Sequence, residues 1–261
     1  MSCKYGSFQV ILLFMWLVFT CSPHQLYIAN FHIFKGSPEQ IMNLKAEDKL
    51  TDYPKDCSEI PKGSPSGLYI IFPQGLSTGY LVVYCDMYSD GGGWTVIQRS
   101  HHRAENIWDQ TWQSYKTGFG NLEGEFWLGN EYIHQITNQK PYKVCFVISD
   151  ANSFLKFASY DLFSVDSESQ GYALRLGKYS GNAGDALIMH STAGIHDNMK
   201  FTTKDRDQDF SSGNCASVHG GGWWYNNCCY VRLNSHNNIL WSTFCSDCKS
   251  SEVLIKPFNA Q

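Results

Sequence analysis

The sequence predicts an α+β fold in which antiparallel strands dominate and helices are short. Runs rich in β-branched and aromatic residues recur along the chain, and glycine and proline separate them, as is typical of twisted hairpins. A short helix is predicted over residues 131–136. The predicted strands are 67–72, 80–87, 94–99, 142–148, 153–158, 160–165, 173–176 and 252–258.

Length and charge fit one globular domain and exclude one class of partner. The chain has 261 residues, 17% of them charged, and is long enough to bury one substantial core. The formal net charge is −4 at pH 7, and lysine and arginine form no continuous basic run. We therefore do not expect the protein to bind nucleic acid.

Residues 1–23 have the organisation of a secretory signal peptide. Lys4 precedes an apolar run over residues 8–19, and small residues follow that run. A span of the bilayer needs roughly 20 apolar residues, so this run is too short to cross it. An uncleaved anchor is the alternative. The prediction is a secreted, extracellular protein without a membrane span.

Removal of the signal peptide changes the cysteine count. Cys3 and Cys21 would be lost, and eight of the ten cysteines would remain. An even number suits disulfide pairing in an oxidising compartment. Residues 24–56 mix apolar and charged types and are expected to form a short leader. Residues 57–261 are then expected to form the domain.

Three acids alternate in a segment that lacks helical periodicity. Asp205, Asp207 and Asp209 can direct carboxylates towards one point, which suits a hard cation that takes six to eight oxygen ligands. Small residues between Ser211 and Gly213 allow backbone carbonyls to approach the same point. The spacing does not match an EF-hand, because glycine and glutamate are missing at the required positions. A solvated acidic turn is the alternative.

Aromatic residues between the predicted strands are expected to pack in the core. Side chains of this size contribute most of a core's burial, which favours packing over a ligand platform. These residues are Trp108, Trp112, Tyr115, Phe119, Phe126 and Trp127.

We found no convincing catalytic constellation in the sequence. Cys245 and Cys248 have the spacing of a redox or zinc motif, but no second pair accompanies them, and an ordinary disulfide is the simpler interpretation. A secreted thiol or zinc-dependent enzyme that uses these two cysteines is nevertheless one hypothesis to test.

Several strings in the chain are specific enough to indicate a family. They are Cys57-Ser-Glu-Ile60, Ser66-Gly-Leu-Tyr-Ile70, Tyr84-Cys-Asp-Met87, Gly91-Gly-Gly-Trp-Thr-Val-Ile-Gln-Arg99, Gly124-Glu-Phe-Trp-Leu-Gly-Asn-Glu131, Ser211-Ser-Gly-Asn-Cys215 and Gly222-Trp-Trp-Tyr-Asn-Asn-Cys228. Together they resemble the fibrinogen C-terminal domain, the module of ficolins, tachylectins and angiopoietins. The resemblance covers residues 57–258.

The resemblance implies a fold in three parts. A small N-terminal β subdomain is linked by a disulfide, a central twisted sheet is mainly antiparallel, and a loop-rich subdomain holds calcium and a ligand pocket. Residues 252–258 would return to the central sheet and close the domain. Members of the family bind ligands and do not catalyse reactions, so the same is expected of this chain.

The resemblance also implies a Ca²⁺ site. By position from the loop cysteine, the carboxylates of Asp207 and Asp209 and the backbone carbonyls of Ser211 and Gly213 would bind the ion. Asp205 lies one step outside this set and is expected to support the loop. Water would complete the coordination shell.

Two disulfides and one unusual peptide bond are implied in the same way. The first pairs Cys57 with Cys85, and the second pairs Cys215 with Cys228. In the family the bond before the second loop cysteine is commonly cis, which here is the bond between Asn227 and Cys228.

The chain departs from the family at the pocket. A histidine that lines the family's pocket is replaced by Cys229, and a long loop is reduced to residues 233–239. Part of the pocket wall is therefore expected to be missing. The residues expected to form what remains of the pocket are Trp223, Trp224, Tyr225, Asn227, Cys228 and Cys229.

Four cysteines remain after the implied disulfides, and they permit three pairings. A bridge from Cys229 to Cys245 or Cys248 is slightly preferred, because it would brace the shortened loop. Cys145 would then pair with the remaining cysteine or stay as a buried thiol.

Two functions without catalysis follow from the resemblance. The protein is expected to recognise an extracellular glycan, or to act as a signalling ligand for an extracellular protein receptor. The altered pocket favours the second slightly.

Overall fold

The protein is built on a ten-stranded sheet and a separate three-stranded sheet. The computed structural model describes residues 53–76, 79–101, 107–188 and 194–258. The strands are β1 Gly67–Ile71, β2 Leu81–Asp86, β3 Trp94–His101, β4 Phe119–Gly120, β5 Phe126–Trp127, β6 Tyr142–Ser149, β7 Leu155–Val165, β8 Leu174–Leu176, β9 Tyr179–Gly181, β10 Val231–Arg232, β11 Ile239–Trp241, β12 Cys245–Cys248 and β13 Ser250–Pro257. The helices are α1 Trp112–Thr117, α2 Asn130–Thr137 and α3 Cys215–His219. The α+β class, with an antiparallel sheet and few short helices, is confirmed.

The last strand holds the central sheet together. The order along the sheet is β1-β2-β3-β13-β6-β7-β8, so β13 lies between β3 and β6 and pairs antiparallel with both. Val253, Leu254 and Ile255 are buried there. The predicted return of the C-terminal strand to the sheet is confirmed.

One long strand replaces two predicted ones. The sequence indicates separate strands at 153–158 and 160–165, whereas β7 runs without a break from Leu155 to Val165. Tyr142 pairs with Phe163 and Val144 with Tyr160, so β7 carries an extra residue in this interval. Such a bulge shifts the alternation of buried and exposed side chains by one position, and the sequence pattern therefore shows an apparent break.

The N-terminal part of the fold begins before the first strand. The disulfide between Cys57 and Cys85 ties a short 3₁₀ turn to β2. The Tyr53 and Phe72 rings lie 4.5 Å apart, and the Phe72 amide donates to the Pro54 carbonyl. Residues 53–56, which the sequence assigns to the leader, thus pack on the domain. The predicted signal peptide and the rest of the leader lie outside the described residues.

An aromatic cluster forms the centre of the core. Trp127 packs against Phe201, Trp223 and Trp224, with ring centroids 5.8 to 6.4 Å apart. Tyr115 packs against both Trp127 and Phe201. The predicted core positions Trp108, Trp112, Tyr115, Phe126 and Trp127 are all buried, and Phe119 is partly buried against them.

The small sheet contains the third disulfide. Strands β10, β11 and β12 pair in that order, and Cys245 and Cys248 of β12 are bonded to each other, with 5.3 Å between their Cα atoms. Cys145 and Cys229 are free. The preferred bridge from Cys229 to Cys245 or Cys248 is therefore wrong. The local pair is close enough to bond without help from the neighbouring loop.

The described helices are all short. The longest has eight residues, and no helix in the described ranges is long and apolar enough to cross a membrane.

The buried acid Asp56 should contribute strongly to stability. Its carboxylate accepts hydrogen bonds from the Tyr142 hydroxyl at 2.5 Å and the Ser58 amide at 2.8 Å, and it pairs with Lys140 at 2.9 Å. Burial, together with Asp56, raises the pKa of Tyr142. We expect Asp56→Ala to lower the free energy of unfolding by about 2–4 kcal/mol, because it leaves buried donors unpaired.

Glu59→Gln is the matched control for Asp56→Ala. Glu59 contacts the same lysine at 3.2 Å but is exposed, so its loss should cost less than about 1 kcal/mol. Urea unfolding of the three proteins measures both changes. Equal effects of the two substitutions would show that burial of Asp56 is not what matters.

Candidate functional site

Asp205 anchors the acidic loop to helix α1. The Thr203 amide donates to the Arg206 carbonyl and the Arg206 amide to the Thr203 carbonyl, which closes a tight turn. Asp205 Oδ1 accepts from the Trp112 amide and from the Thr203 hydroxyl, each at 2.8 Å. Burial opposes ionisation of Asp205, but these donors hold its pKa below the ordinary value. Its role is structural.

The next two acids face each other. Asp209 accepts hydrogen bonds from the Ser211 amide on one oxygen and from the Cys215 amide on the other, each at 2.9 Å. The Asp209 amide in turn donates to Asp207 Oδ1 at 3.3 Å. Burial and the neighbouring Asp207 carboxylate raise the pKa of Asp209. A neighbouring carboxylate of like charge disfavours ionisation of Asp209, and a bound cation would relieve that repulsion.

The donor set of this loop suits calcium. Residues 207–213 form neither helix nor strand, so their carbonyls are not taken up by a regular hydrogen-bond ladder. Two carboxylates followed by the backbone carbonyls of Ser211 and Gly213 offer only oxygen ligands, which are the ligands that Ca²⁺ prefers. The residues present therefore fit Ca²⁺ by the type of their donor atoms, and the calcium site stays a prediction.

A short helix and a disulfide join the loop to the pocket segment. Asn214 caps α3 by accepting from the Ser217 amide at 2.8 Å and donates its side-chain amide to the Thr203 carbonyl at 2.9 Å. The disulfide between Cys215 and Cys228 joins positions thirteen residues apart, as the resemblance implies. Movement of the acidic loop is thereby coupled to the segment around Cys228.

Three of the expected pocket residues belong to the core. The side chains of Trp223, Trp224 and Tyr225 are fully buried. The Trp224 indole donates to the Tyr172 carbonyl at 2.8 Å, and the Tyr225 hydroxyl donates to the Gly221 carbonyl at 2.9 Å. They cannot contact a ligand from solvent in this conformation, so their expected place in the pocket wall is corrected. The expectation failed because the sequence shows that these residues are aromatic but does not show that the rest of the fold covers their side chains.

The accessible part of the site is the segment that follows. Asn227 is exposed, and Cys228, Cys229 and Tyr230 are partly exposed. The peptide bond between Asn227 and Cys228 is cis, as the resemblance implies. The Phe210 amide donates to the Asn226 carbonyl at 3.0 Å, which places the acidic loop directly beside this segment.

His196 supports the segment from below, and sequence reasoning missed it. Its Nε2 accepts from the amides of Tyr230 at 3.2 Å and Val231 at 3.0 Å, so the proton must lie on Nδ1. Nδ1 is 2.7 Å from the Trp224 carbonyl, to which it donates. Burial lowers the pKa of His196 to about 4. A lone histidine in an irregular stretch carries no sequence signal, because only the tertiary fold supplies its partners.

The free thiol in the segment is not set up for nucleophilic attack. Cys229 Sγ lies 3.8 Å from the Arg232 guanidinium, but burial dominates and raises the pKa of the thiol. A neutral thiol is a poor nucleophile and a poor metal ligand. Cys245 and Cys248 are bonded to each other and are not available for either role. Among the described cysteines, therefore, no free thiolate supports the hypothesis of a thiol or zinc-dependent enzyme.

Comparison with known families gives one match that covers most of the chain. Residues 53–252 match the family described as fibrinogen beta and gamma chains, C-terminal globular domain. Fibrinogen-like protein 1-like protein of Gallus gallus is 50% identical over 194 residues, which are 74% of this chain and 68% of that protein. Angiopoietin-related protein 1 of Homo sapiens is 43% identical over 66% of this chain, and fibrinogen C domain-containing protein 1 of Homo sapiens is 41% identical over 73%.

Solved structures agree with this match. The fibrinogen-like globe domain of human ANGPTL2 has a TM-score of 0.72 and 37% identity, and covers 78% of this chain and 99% of that domain. The lamprey fibrin D-dimer, complexed with the peptide Gly-His-Arg-Pro-amide, has a TM-score of 0.74 and 30% identity over 85% of this chain and 82% of that one. The chain spans only 34% of the angiopoietin-related protein and 44% of the fibrinogen C domain-containing protein.

The neutral state of His196 should make stability depend on pH. The folded protein holds its pKa at about 4, below the ordinary value of about 6.5, so the unfolded chain binds more protons between these values. Stability therefore falls as pH falls through this window. We expect this group alone to lower the free energy of unfolding by about 2 kcal/mol between pH 7 and pH 5.

His196→Gln isolates this contribution, because glutamine does not titrate. Urea unfolding at pH 7 and pH 5 should show a smaller pH difference for His196→Gln than for the unmodified protein. His101→Gln is the control, since His101 is exposed, and it should keep the full difference. If the pH difference is the same in all three proteins, His196 does not stay neutral in the folded state.

Proposed function

The chain belongs to the family of fibrinogen C-terminal globular domains, which are non-enzymatic ligand-binding modules, and on that premise we propose that it is a secreted, calcium-dependent recognition module for an extracellular protein. One observation carries the proposal: the Cys215–Cys228 disulfide couples the acidic loop to the exposed segment around Asn227. A cation that orders the loop would therefore also order the surface that meets a ligand.

Asp207, Asp209, Ser211 and Gly213 would hold the calcium ion in this proposal. The ion would supply positive charge between two facing carboxylates. Other groups of the chain position these ligands. The amides of Ser211 and Cys215 orient Asp209, and Asp205 fixes the start of the loop on α1.

Exposed apolar side chains beside the loop favour a protein ligand. Phe210 is 72% exposed within the loop, and Val218 is 65% exposed on α3, which follows it. Protein interfaces depend on such anchors, whereas a sugar ligand needs converging polar groups around a pocket. The lamprey fibrin structure contains a bound peptide, which supports a ligand of this class.

Recognition of an acetylated glycan is the second candidate. It is supported by the pocket that the family uses to bind ligands. Against it stand the replacement of the pocket histidine by Cys229 and the burial of Trp223 and Trp224, which leave few groups to contact a sugar ring. We therefore treat glycan binding as an outcome to be tested.

Calcium should raise the melting temperature by a few degrees. Extracellular sites have dissociation constants of roughly 10⁻⁴ to 10⁻³ M, which corresponds to about 0.4–1.4 kcal/mol of added stability at about 1 mM calcium. For a domain of this size that free energy is a shift of a few degrees. Magnesium should give a smaller shift, because its strict octahedral geometry suits this loop poorly. Differential scanning calorimetry with each ion measures both shifts.

Asp207→Ala should abolish the calcium shift. Asp109→Ala is the matched control, because Asp109 is an exposed acid that pairs with Lys204 near the same loop but offers no ligand to the proposed site. It removes the same charge and should keep the shift. An Asp207→Ala protein that retains the full calcium shift would place the ion elsewhere.

Phe210→Ser should weaken binding to a protein ligand at least about tenfold, as loss of an interface anchor typically does. The unmodified protein is tested against a panel of extracellular receptor domains and an array of acetylated sugars, each with and without EDTA. Tyr88→Ser is the control, because Tyr88 is equally exposed but follows β2, in the N-terminal part of the domain. If the protein binds sugars in an EDTA-sensitive way and Phe210→Ser leaves that binding intact, the ligand is a glycan and the proposal of a protein ligand is wrong.

A further inference from the structure

A cleft on the outer face of the central sheet, the side away from the core, has the size of a small-molecule site. Its volume is about 880 Å³, and sites for small ligands generally have volumes of about 300–1,000 Å³. Such sites are mainly apolar and carry a few polar groups that fix the orientation of the ligand. None of residues 205–229, all of which the structure describes, lines the cleft. The cleft is therefore separate from the acidic loop and the segment around Cys228.

The apolar residues of the cleft form a diagonal band across the strands. Strand register places Cys145 of β6 beside Leu254 of β13, and Val147 of β6 beside Phe157 of β7. Side chains two residues apart on a strand share a face, so both pairs lie on the same side of the sheet. The band runs from β3 to β7 and consists of the cleft residues Trp94, Leu254, Cys145, Val147, Phe157 and Leu155.

Polar side chains border the band on both sides. Arg99 and Glu252 form an ion pair at 2.6 Å, and Glu252 pairs in register with Val147. Ser159 pairs with Cys145 on the opposite side, towards β7. The cleft is therefore an apolar strip between polar borders, and this arrangement suits an elongated amphipathic ligand.

One end of the band carries a hydrogen-bond donor that the protein does not use. Trp94 is only 4% exposed, and its indole Nε1 has no hydrogen-bond partner among the residues that the structure describes. Folded proteins leave few buried donors unpaired, and such a donor calls for a water, an ion or a ligand. The end of the cleft at Trp94 therefore favours a ligand that has a hydrogen-bond acceptor.

Two lysines add positive charge at the same end. The Nζ atoms of Lys143 and Lys256 lie 4.8 Å and 5.7 Å from the centre of the Trp94 ring. Burial and the nearby Lys143 lower the pKa of Lys256, so positive charges crowd each other here. Asp90 compensates only weakly, because its carboxylate is 3.6 Å from Lys143 and its side chain is 77% exposed. An anionic acceptor therefore suits this end better than a neutral one.

We propose that the cleft binds a small amphipathic carboxylate, of the class of medium-chain fatty acids, with its head at Trp94 and Lys143 and its chain along the band. The Lys143 ammonium would donate to the carboxylate as a charged donor, and the Trp94 indole would donate to it as a neutral one. The chain would cover Cys145, Val147 and Phe157, and removal of this apolar surface from water favours binding. The proposal rests neither on the calcium loop nor on a protein ligand.

Titration calorimetry with decanoate tests the site directly. The unmodified protein should bind decanoate saturably, with one molecule per chain. Acetate has the same head without the chain, and decyltrimethylammonium has the chain with the opposite charge. Each should bind at least about tenfold more weakly than decanoate, because each lacks one of the two kinds of contact.

Lys143→Gln should weaken the binding of decanoate at least about tenfold, because a charge-assisted hydrogen bond is lost. Lys143→Arg keeps the charge and should retain most of the affinity. Lys204→Gln is the matched control, because it removes the same charge from a partly exposed lysine that pairs with Asp109 and does not line the cleft. It should bind decanoate as the unmodified protein does. Circular dichroism of each variant confirms that the fold is retained.

The alkylation rate of Cys145 shows where decanoate binds. In a Cys229→Ser background Cys145 is the one free thiol among the described cysteines. At a decanoate concentration of about ten times its Kd, the reaction of Cys145 with iodoacetamide should be about tenfold slower, because the bound chain covers the thiol in most molecules. At the same decanoate concentration Lys143→Gln should lose this protection, and Lys204→Gln should keep it.

Three results would overturn the proposal. The first is the absence of saturable binding up to about 1 mM decanoate. The second is binding that Lys143→Gln leaves unchanged or that does not protect Cys145, which would place decanoate elsewhere on the protein. The third is equal affinity for decanoate and decyltrimethylammonium, which would show that the charge of the head does not matter and that the cleft takes up apolar chains without recognising a carboxylate.

Discussion

Burial of Trp223 and Trp224 against Trp127 joins the irregular half of the domain to its sheet. Trp127 belongs to β5, which pairs with β3, while the two other rings come from a segment with little regular structure. Few short strands and one short helix could not hold that segment by hydrogen bonds alone. The aromatic contacts supply the apolar burial that it needs, and they help to position the exposed segment that follows Tyr225.

This anchoring explains how an irregular surface can be precise. The backbone after the tryptophans is fixed from below by His196, which accepts from two amides, and from the side by the Cys215–Cys228 disulfide. The acidic loop is tied to α1 through Asp205. What remains unbalanced is the pair of facing carboxylates at Asp207 and Asp209. In the proposed function, a cation bound between these carboxylates would act on the segment around Cys228 through the Cys215–Cys228 disulfide.

The two faces of the central sheet serve different ends. The inner face packs the core, and β13 completes it by lying between β3 and β6. The outer face carries Val147 and Phe157 beside charged and polar side chains such as Glu252 and Ser159, as a face exposed to solvent does.

The sequence by itself determined the fold class, the main strands, the core aromatic residues and the alternation of acids at 205–209, because each depends on local pattern or on strings specific to one family. Only the tertiary structure decided the rest. A bulge merged two predicted strands into β7, since register depends on the partner strand. Proximity paired Cys245 with Cys248 and left Cys229 free. The buried state of Trp223 and the partners of His196 arise from segments distant in sequence, and no local pattern encodes such contacts.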